Sequence, residues 1–65
     1  MNKIYTVSLD GTILYDAFNE LFEAQNHLLN YIKNANNINW VDDYTVSYMF
    51  ENHLYYGKIN IHNLH

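Results

Sequence analysis

Sixty-five residues without cysteine and with a net charge of −4 suffice for one domain around one core, with no disulfide and no thiolate metal site to stabilise it. Three basic side chains against seven acidic ones are too few to hold phosphate backbones by counter-ion release, so nucleic acid is set aside as a direct partner. Hydrophobic residues make up 49% of the chain and seven tyrosines are among them, a composition that argues against disorder and leaves stability to packing or to a partner.

The first residues carry one lysine, Lys3, and an apolar run soon broken by Ser8, Asp10, Gly11 and Thr12. Neither a signal peptide nor a membrane span fits that pattern, so a cytoplasmic protein with no membrane partner is expected. The wealth of Asn, Ile and Tyr is what AT-rich genomes encode, and short chains of this kind are common among bacteriophage accessory proteins. A phage origin would place the protein in the host cytoplasm.

Residues 3–18 read as two strands around Asp10-Gly11, a pair that accepts the positive φ angles of a tight hairpin turn. That turn sets Leu9 opposite Thr12, Val7 opposite Leu14 and Tyr5 opposite Asp16 on one face. Ser8 with Ile13, Thr6 with Tyr15 and Ile4 with Ala17 share the other. Asn19 then suits an N-cap, with Glu20 and Glu23 in the first turn complementing the helix dipole. The helix is expected from Glu20 to Ala35, its core stripe formed by Leu21, Ala24, Leu28, Tyr31, Ile32 and Ala35, with Phe22 and Leu29 beside it.

The Asn-rich segment 34–39 is expected to stop the helix and act as a connector. From Asp43 to Phe50 a strict alternation puts Tyr44, Val46, Tyr48 and Phe50 on one face. A turn at Asn52-His53 pairs Phe50 with Tyr55, Tyr48 with Gly57, Val46 with Ile59 and Tyr44 with Ile61, and Gly57 then makes room for the Tyr48 ring. A turn at Glu51-Asn52 shifts the pairing by two and keeps the same faces. The expected fold is a single α+β domain over residues 1–65, in the order β-β-α-β-β: an antiparallel sheet of two hairpins with one helix packed on one face.

Chemistry is weakly signalled. The only serines, Ser8 and Ser47, fall mid-strand without a strained elbow, and two glycines cannot build a phosphate loop. His62 with His65 and Asp43 comes nearest to a metal set, but no His-x-x-x-His pair exists, so neither metal nor cofactor is expected. Glu23 and His27, one helical turn apart, read as an exposed pair. Glu20, Glu23, Asp42 and Asp43 are explained by the helix start and the strand entry.

What remains is apolar surface. With Val7, Leu9, Leu14, Leu21, Leu28, Ile32, Val46, Tyr48, Phe50, Ile59 and Ile61 placed in the core, Ile4, Ile13, Tyr15, Met49 and Tyr56 are left on the far side of the sheet. The expected function is therefore that of a small acidic, non-catalytic interaction protein, with a phage-encoded inhibitor of a host enzyme or defence factor as its concrete form. Ile13, Tyr15, Phe22, Leu29, Trp40, Met49 and Tyr56 are the residues expected to meet a host protein or a second copy in a homodimer. The alternative is an oligomer that sequesters a small molecule such as a nucleotide signal. No diagnostic motif ties the chain to a family.

Overall fold

The computed structural model describes residues 2–64 and, within them, the side chains of all but Asn2, Tyr15 and Leu64. The elements in chain order are β1 (Asn2–Leu9), β2 (Thr12–Phe18), α1 (Leu21–Tyr31), β3 (Asn36–Asp42), β4 (Thr45–Phe50) and β5 (His53–Leu64). One antiparallel sheet of five strands runs in the order β2-β1-β5-β4-β3. The α+β class and the single helix agree with the sequence reading. The strand count does not, because the Asn-rich connector continues into β3, an edge strand.

The first hairpin turns at Asp10-Gly11 with φ angles of 47° and 82°, and Leu9↔Thr12, Ser8↔Ile13 and Val7↔Leu14 pair as the turn requires. Beyond Leu14 the register shifts: Thr6 meets Ala17 and Tyr5 meets Phe18, instead of Tyr15 and Asp16. The bulge keeps the inward parity of Phe18, whose half-buried ring joins the core, and delivers Asp16 toward the helix.

The helix is shorter than its pattern suggests. Glu20, extended at φ −122° and ψ 141°, occupies the N-cap position without a side-chain cap, so Asn19 does not serve as the cap. At the other end the Ile32 amide is shared between the carbonyls of Leu28 and Leu29, and Ala35 N–H donates to Ile32 O at 2.8 Å, a tightened final turn that closes the helix before Ala35. Ala24, Leu28 and Ile32 are buried, whereas Tyr31, expected in the stripe, is 51% exposed.

Two further turns complete the sheet. Asp42 Oδ1 accepts from the Tyr44 amide at 2.7 Å, an Asx-type turn that reverses the chain between β3 and β4. Tyr44 therefore sits in an exposed turn and not on the inner face of a strand. Glu51 and Asn52, at φ 53° and 66°, form the last turn, so Phe50 meets His53, Tyr48 meets Tyr55 and Val46 meets Gly57. This is the second of the two registers compatible with the alternation, and Gly57 faces Val46, not Tyr48. The terminal strands β1 and β5 pair in the middle of the sheet from Asn2↔Leu64 to Leu9↔Gly57.

The helix lies on β1, β2 and β5, and Val7, Ala24, Leu28, Ile32, Val46, Tyr48 and Ile59 form the buried core beneath it. Eleven helical residues span only about 16 Å, whereas the twelve residues of β5 reach about 40 Å. The ends of the inner face consequently stay open. Phe50 is 49% exposed and Ile61 is also exposed, which corrects their assignment to the core. The molecule measures 42 × 18 × 16 Å, and its 4739 Å² of accessible surface exceeds the roughly 4,400 Å² typical of a compact monomer of its mass.

Candidate partner-binding surfaces

The far side of the sheet carries no covering element among the described residues. Because side chains alternate along a strand, the pairings fix what this outer face presents. One row across four strands reads Ile13, Ser8, Lys58 and Thr45; the next reads Tyr56, Ser47 and Asn39, and beyond it lie Leu54 and Met49. Ile13 is 59%, Leu54 56% and Tyr56 46% exposed. Met49 is half-buried and accepts a contact from Asn37 Nδ2 at 3.3 Å, while Ser47 Oγ donates to Asn39 O at 3.3 Å. Beside Tyr56 a recess of about 260 Å³ is lined by Ser8, Asp10, Gly11, Tyr56 and Lys58.

The inner face opens where the helix leaves it. At the C-terminal end of α1 a pocket of about 380 Å³ is lined by Leu9, Asp10, Tyr31, Ile32, Asn34, Ala35, Tyr48, Phe50 and Tyr55. The rings of Tyr48 and Tyr55 stack with centroids 5.7 Å apart and planes at 25°. Burial, the charge of Asp10 and the neighbouring Tyr55 hydroxyl push the Tyr48 phenol above its ordinary pKa, because each disfavours the phenolate. A second pocket, also about 380 Å³, lies along the side of the helix between Gln25, Asn26, Leu29, Trp40, Asp42 and Asp43, with Gln25 Nε2 donating to Asp43 O at 2.9 Å.

The chain matches no family model, no curated protein and no solved structure. Its function is therefore read from these surfaces alone.

The residues expected to meet a partner fall in three places. Ile13, Met49 and Tyr56 share the outer face; Leu29 and Trp40 line the second inner pocket; and Phe22 is exposed on the helix. The side chain of Tyr15 lies outside the described residues. Sequence reasoning missed Leu54, which the alternation of β5 places beside Tyr56's row, and it missed the aromatic pocket altogether. The pocket draws on β1, the first turn, the end of α1, β4 and β5, and no local pattern announces such a convergence.

Of the histidines, His27 is held by aromatic rings, not by Glu23. Its ring lies 4.8 Å from that of Phe18 and 4.9 Å from that of Tyr31, and its Nε2 stands 2.9 Å from Asp16 Oδ2. That nitrogen is shielded from solvent, and the approach of Asp16 does not meet the geometry of a hydrogen bond. His62 Nε2 lies 3.1 Å from Thr6 Oγ1, and His65 lies outside the described residues. Among the described residues no three His, Asp or Glu side chains gather as a metal site, and no helix is long and apolar enough to cross a membrane.

Proposed function

We propose that this chain is a small, acidic, non-catalytic interaction domain that binds another protein through the bare face of its sheet. The observation that carries the reading is the one-sided architecture. A single helix covers part of one face, and the other presents Ile13, Met49, Leu54 and Tyr56 around a polar centre of Ser8, Thr45, Ser47 and Lys58. Apolar and aromatic side chains around a polar centre suit a protein partner, which gains from desolvating them at low entropic cost while the hydroxyls and Lys58 fix orientation.

The concrete form of this reading is a phage-encoded inhibitor that covers a site on a host enzyme or defence factor; self-association through the same face is its homodimeric version. The acidic balance of the chain suits a basic partner surface and speeds the encounter. Sequestration of a nucleotide fits less well, since neither of the two pockets on the inner face carries a cationic side chain to meet a phosphate.

A photoreactive phenylalanine analogue installed at Ile13 or Tyr56, and at Glu23 on the exposed side of the helix, tests the proposal in host extract. One specific cross-linked product is expected from the two sheet positions and none from the helix position. Absence of any product at the sheet positions, or the same products from Glu23, defeats the reading.

A further inference from the structure

The aromatic pocket at the end of α1 lies on the face opposite the proposed interaction surface and has a chemistry of its own. Four of its lining side chains, Tyr31, Tyr48, Phe50 and Tyr55, are aromatic; one, Asp10, is anionic; none is cationic. Aromatic faces carry negative quadrupolar charge and attract cations held over them. The pocket also sits at the C-terminal end of the helix, where the last carbonyls give a partial negative charge; no basic residue occupies the last turn of α1, and Lys33, just beyond the C-cap, is not among the residues lining the pocket. Asp10 lines this pocket together with Tyr48, and its charge, after burial, disfavours the phenolate form of that ring.

We propose that this pocket is a receptor for an arginine side chain presented by a protein. A guanidinium is flat, weakly hydrated and able to stack on an aromatic ring while donating to a carboxylate, which suits it to a pocket lined by tyrosines with Asp10 and Asn34 at hand. A lysine ammonium is more strongly hydrated and gains less from the rings. Tyr31 and Phe50 remain about half exposed beside the pocket, and only a ligand carried on a larger surface covers them.

The site is argued apart from the sheet-face proposal, sharing with it only Asp10, which also borders the outer recess, and its test needs no partner to be known. Proton and nitrogen chemical shifts of the full chain are followed while the blocked tripeptide Gly-Arg-Gly is titrated in. Saturable shifts confined to residues around Tyr31, Tyr48, Phe50 and Tyr55 are expected. Binding should weaken at least tenfold when arginine is replaced by its neutral isostere citrulline, and weaken clearly with lysine. The variant Asp10→Asn should weaken arginine binding by a similar factor. Asparagine tolerates the φ of 47° that Asp10 adopts, so the hairpin survives and the variant's unchanged spectrum elsewhere reports folding.

Equal binding of the citrulline peptide, or full binding by Asp10→Asn, overturns the cation assignment. Equal binding of the lysine peptide overturns the choice of guanidinium. If methylguanidinium binds as tightly as the tripeptide, the rim contributes nothing and the partner-borne assignment fails. Loss of shifts at the pocket with cross-linking at Tyr56 intact would sink this site and leave the sheet face standing.

Discussion

Gly57 and Leu28 are in such close approach that a Cβ on Gly57 would lie 3.0 Å from Leu28 Cδ1 and 3.2 Å from its Cδ2, with Val46 Cγ1 at 3.1 Å on the other side. The missing side chain lets the helix seat its largest fully buried residue directly on the backbone of β5, across from Val46. Gly57→Ala therefore forces a buried contact to give way, and the expected loss is about 1–3 kcal/mol. Urea unfolding checks it. Gly11→Ala serves as the contrast, since nothing stands within 4 Å of the new methyl but the φ of 82° strains any other residue, at a cost of about 1 kcal/mol. A Gly57→Ala variant as stable as the parent would mean that the helix sits elsewhere.

That contact also shows how far the chain's local patterns reach. Parity along β1, β2, β4 and β5 correctly separates the inner residues Val7, Val46, Tyr48 and Ile59 from the outer ones Ile13, Met49 and Tyr56, because a strand has only two faces. Asp10-Gly11 announces its own turn by the φ angles that the pair tolerates. By contrast, β3 is hidden, since Asn36, Asn37 and Asn39 have low strand propensity and pair only because β4 offers an open edge. Asn37 at φ 55° and two register shifts against β4 twist that edge away from further pairing. The bulge at Tyr15-Asp16 is likewise a tertiary matter. It brings Asp16 to His27 of the helix, a neighbour no local pattern names. The apolar alternation of Phe50 and Ile61 reads as core, yet a helix of eleven residues ends before covering either.

The shielded phenol of Tyr48 makes stability depend on alkaline pH. In the unfolded chain the group releases its proton near 10.0, whereas in the folded protein it does so only at higher pH. Between those points the unfolded state holds fewer protons than the folded one, so folding stability is complete below pH 10 and falls as pH rises through that window. The variant Tyr48→Phe removes this contribution and leaves the other six tyrosines in place. Its thermal midpoint should therefore decline less than the parent's above pH 10, with the difference between the two constant at lower pH. Parallel declines would show that Tyr48 has no part in the alkaline transition.

His27 ties the helix to β2 by packing more than by charge. Asp16 is 58% exposed on its side chain, and an ion pair so open to water is worth about 0–1 kcal/mol. The rings of Phe18 and Tyr31 on either side of His27 stand to lose more when the imidazole is removed. His27→Ala should cost about 1–2 kcal/mol, in the usual range for lost packing, and Asp16→Asn less than half of that. Chemical denaturation of the two single variants and the double variant measures both effects and their coupling. A larger loss from Asp16→Asn than from His27→Ala would reverse the assignment.

If the outer face of the sheet is an interaction surface, its apolar residues serve a partner and not the fold, and the two roles separate by mutation. Ile13, Leu54 and Tyr56 are exposed and stand on strands where threonine is a comparable strand former. Changing all three to threonine removes apolar area from solvent contact without opening a cavity, and each change should move stability by no more than about 0.5 kcal/mol. Leu28→Ala, by comparison, empties a fully buried position and should cost about 2–5 kcal/mol, which establishes that the assay detects core damage. The triple variant is then expected to unfold at nearly the parent's denaturant midpoint, to lose the Tyr56-directed partner contact at an adjacent cross-linking position such as Ser47, and to keep the shifts that the arginine tripeptide induces on the opposite face. Destabilisation approaching that of Leu28→Ala would assign these side chains to the fold, and an unchanged cross-link would assign the contact to another surface.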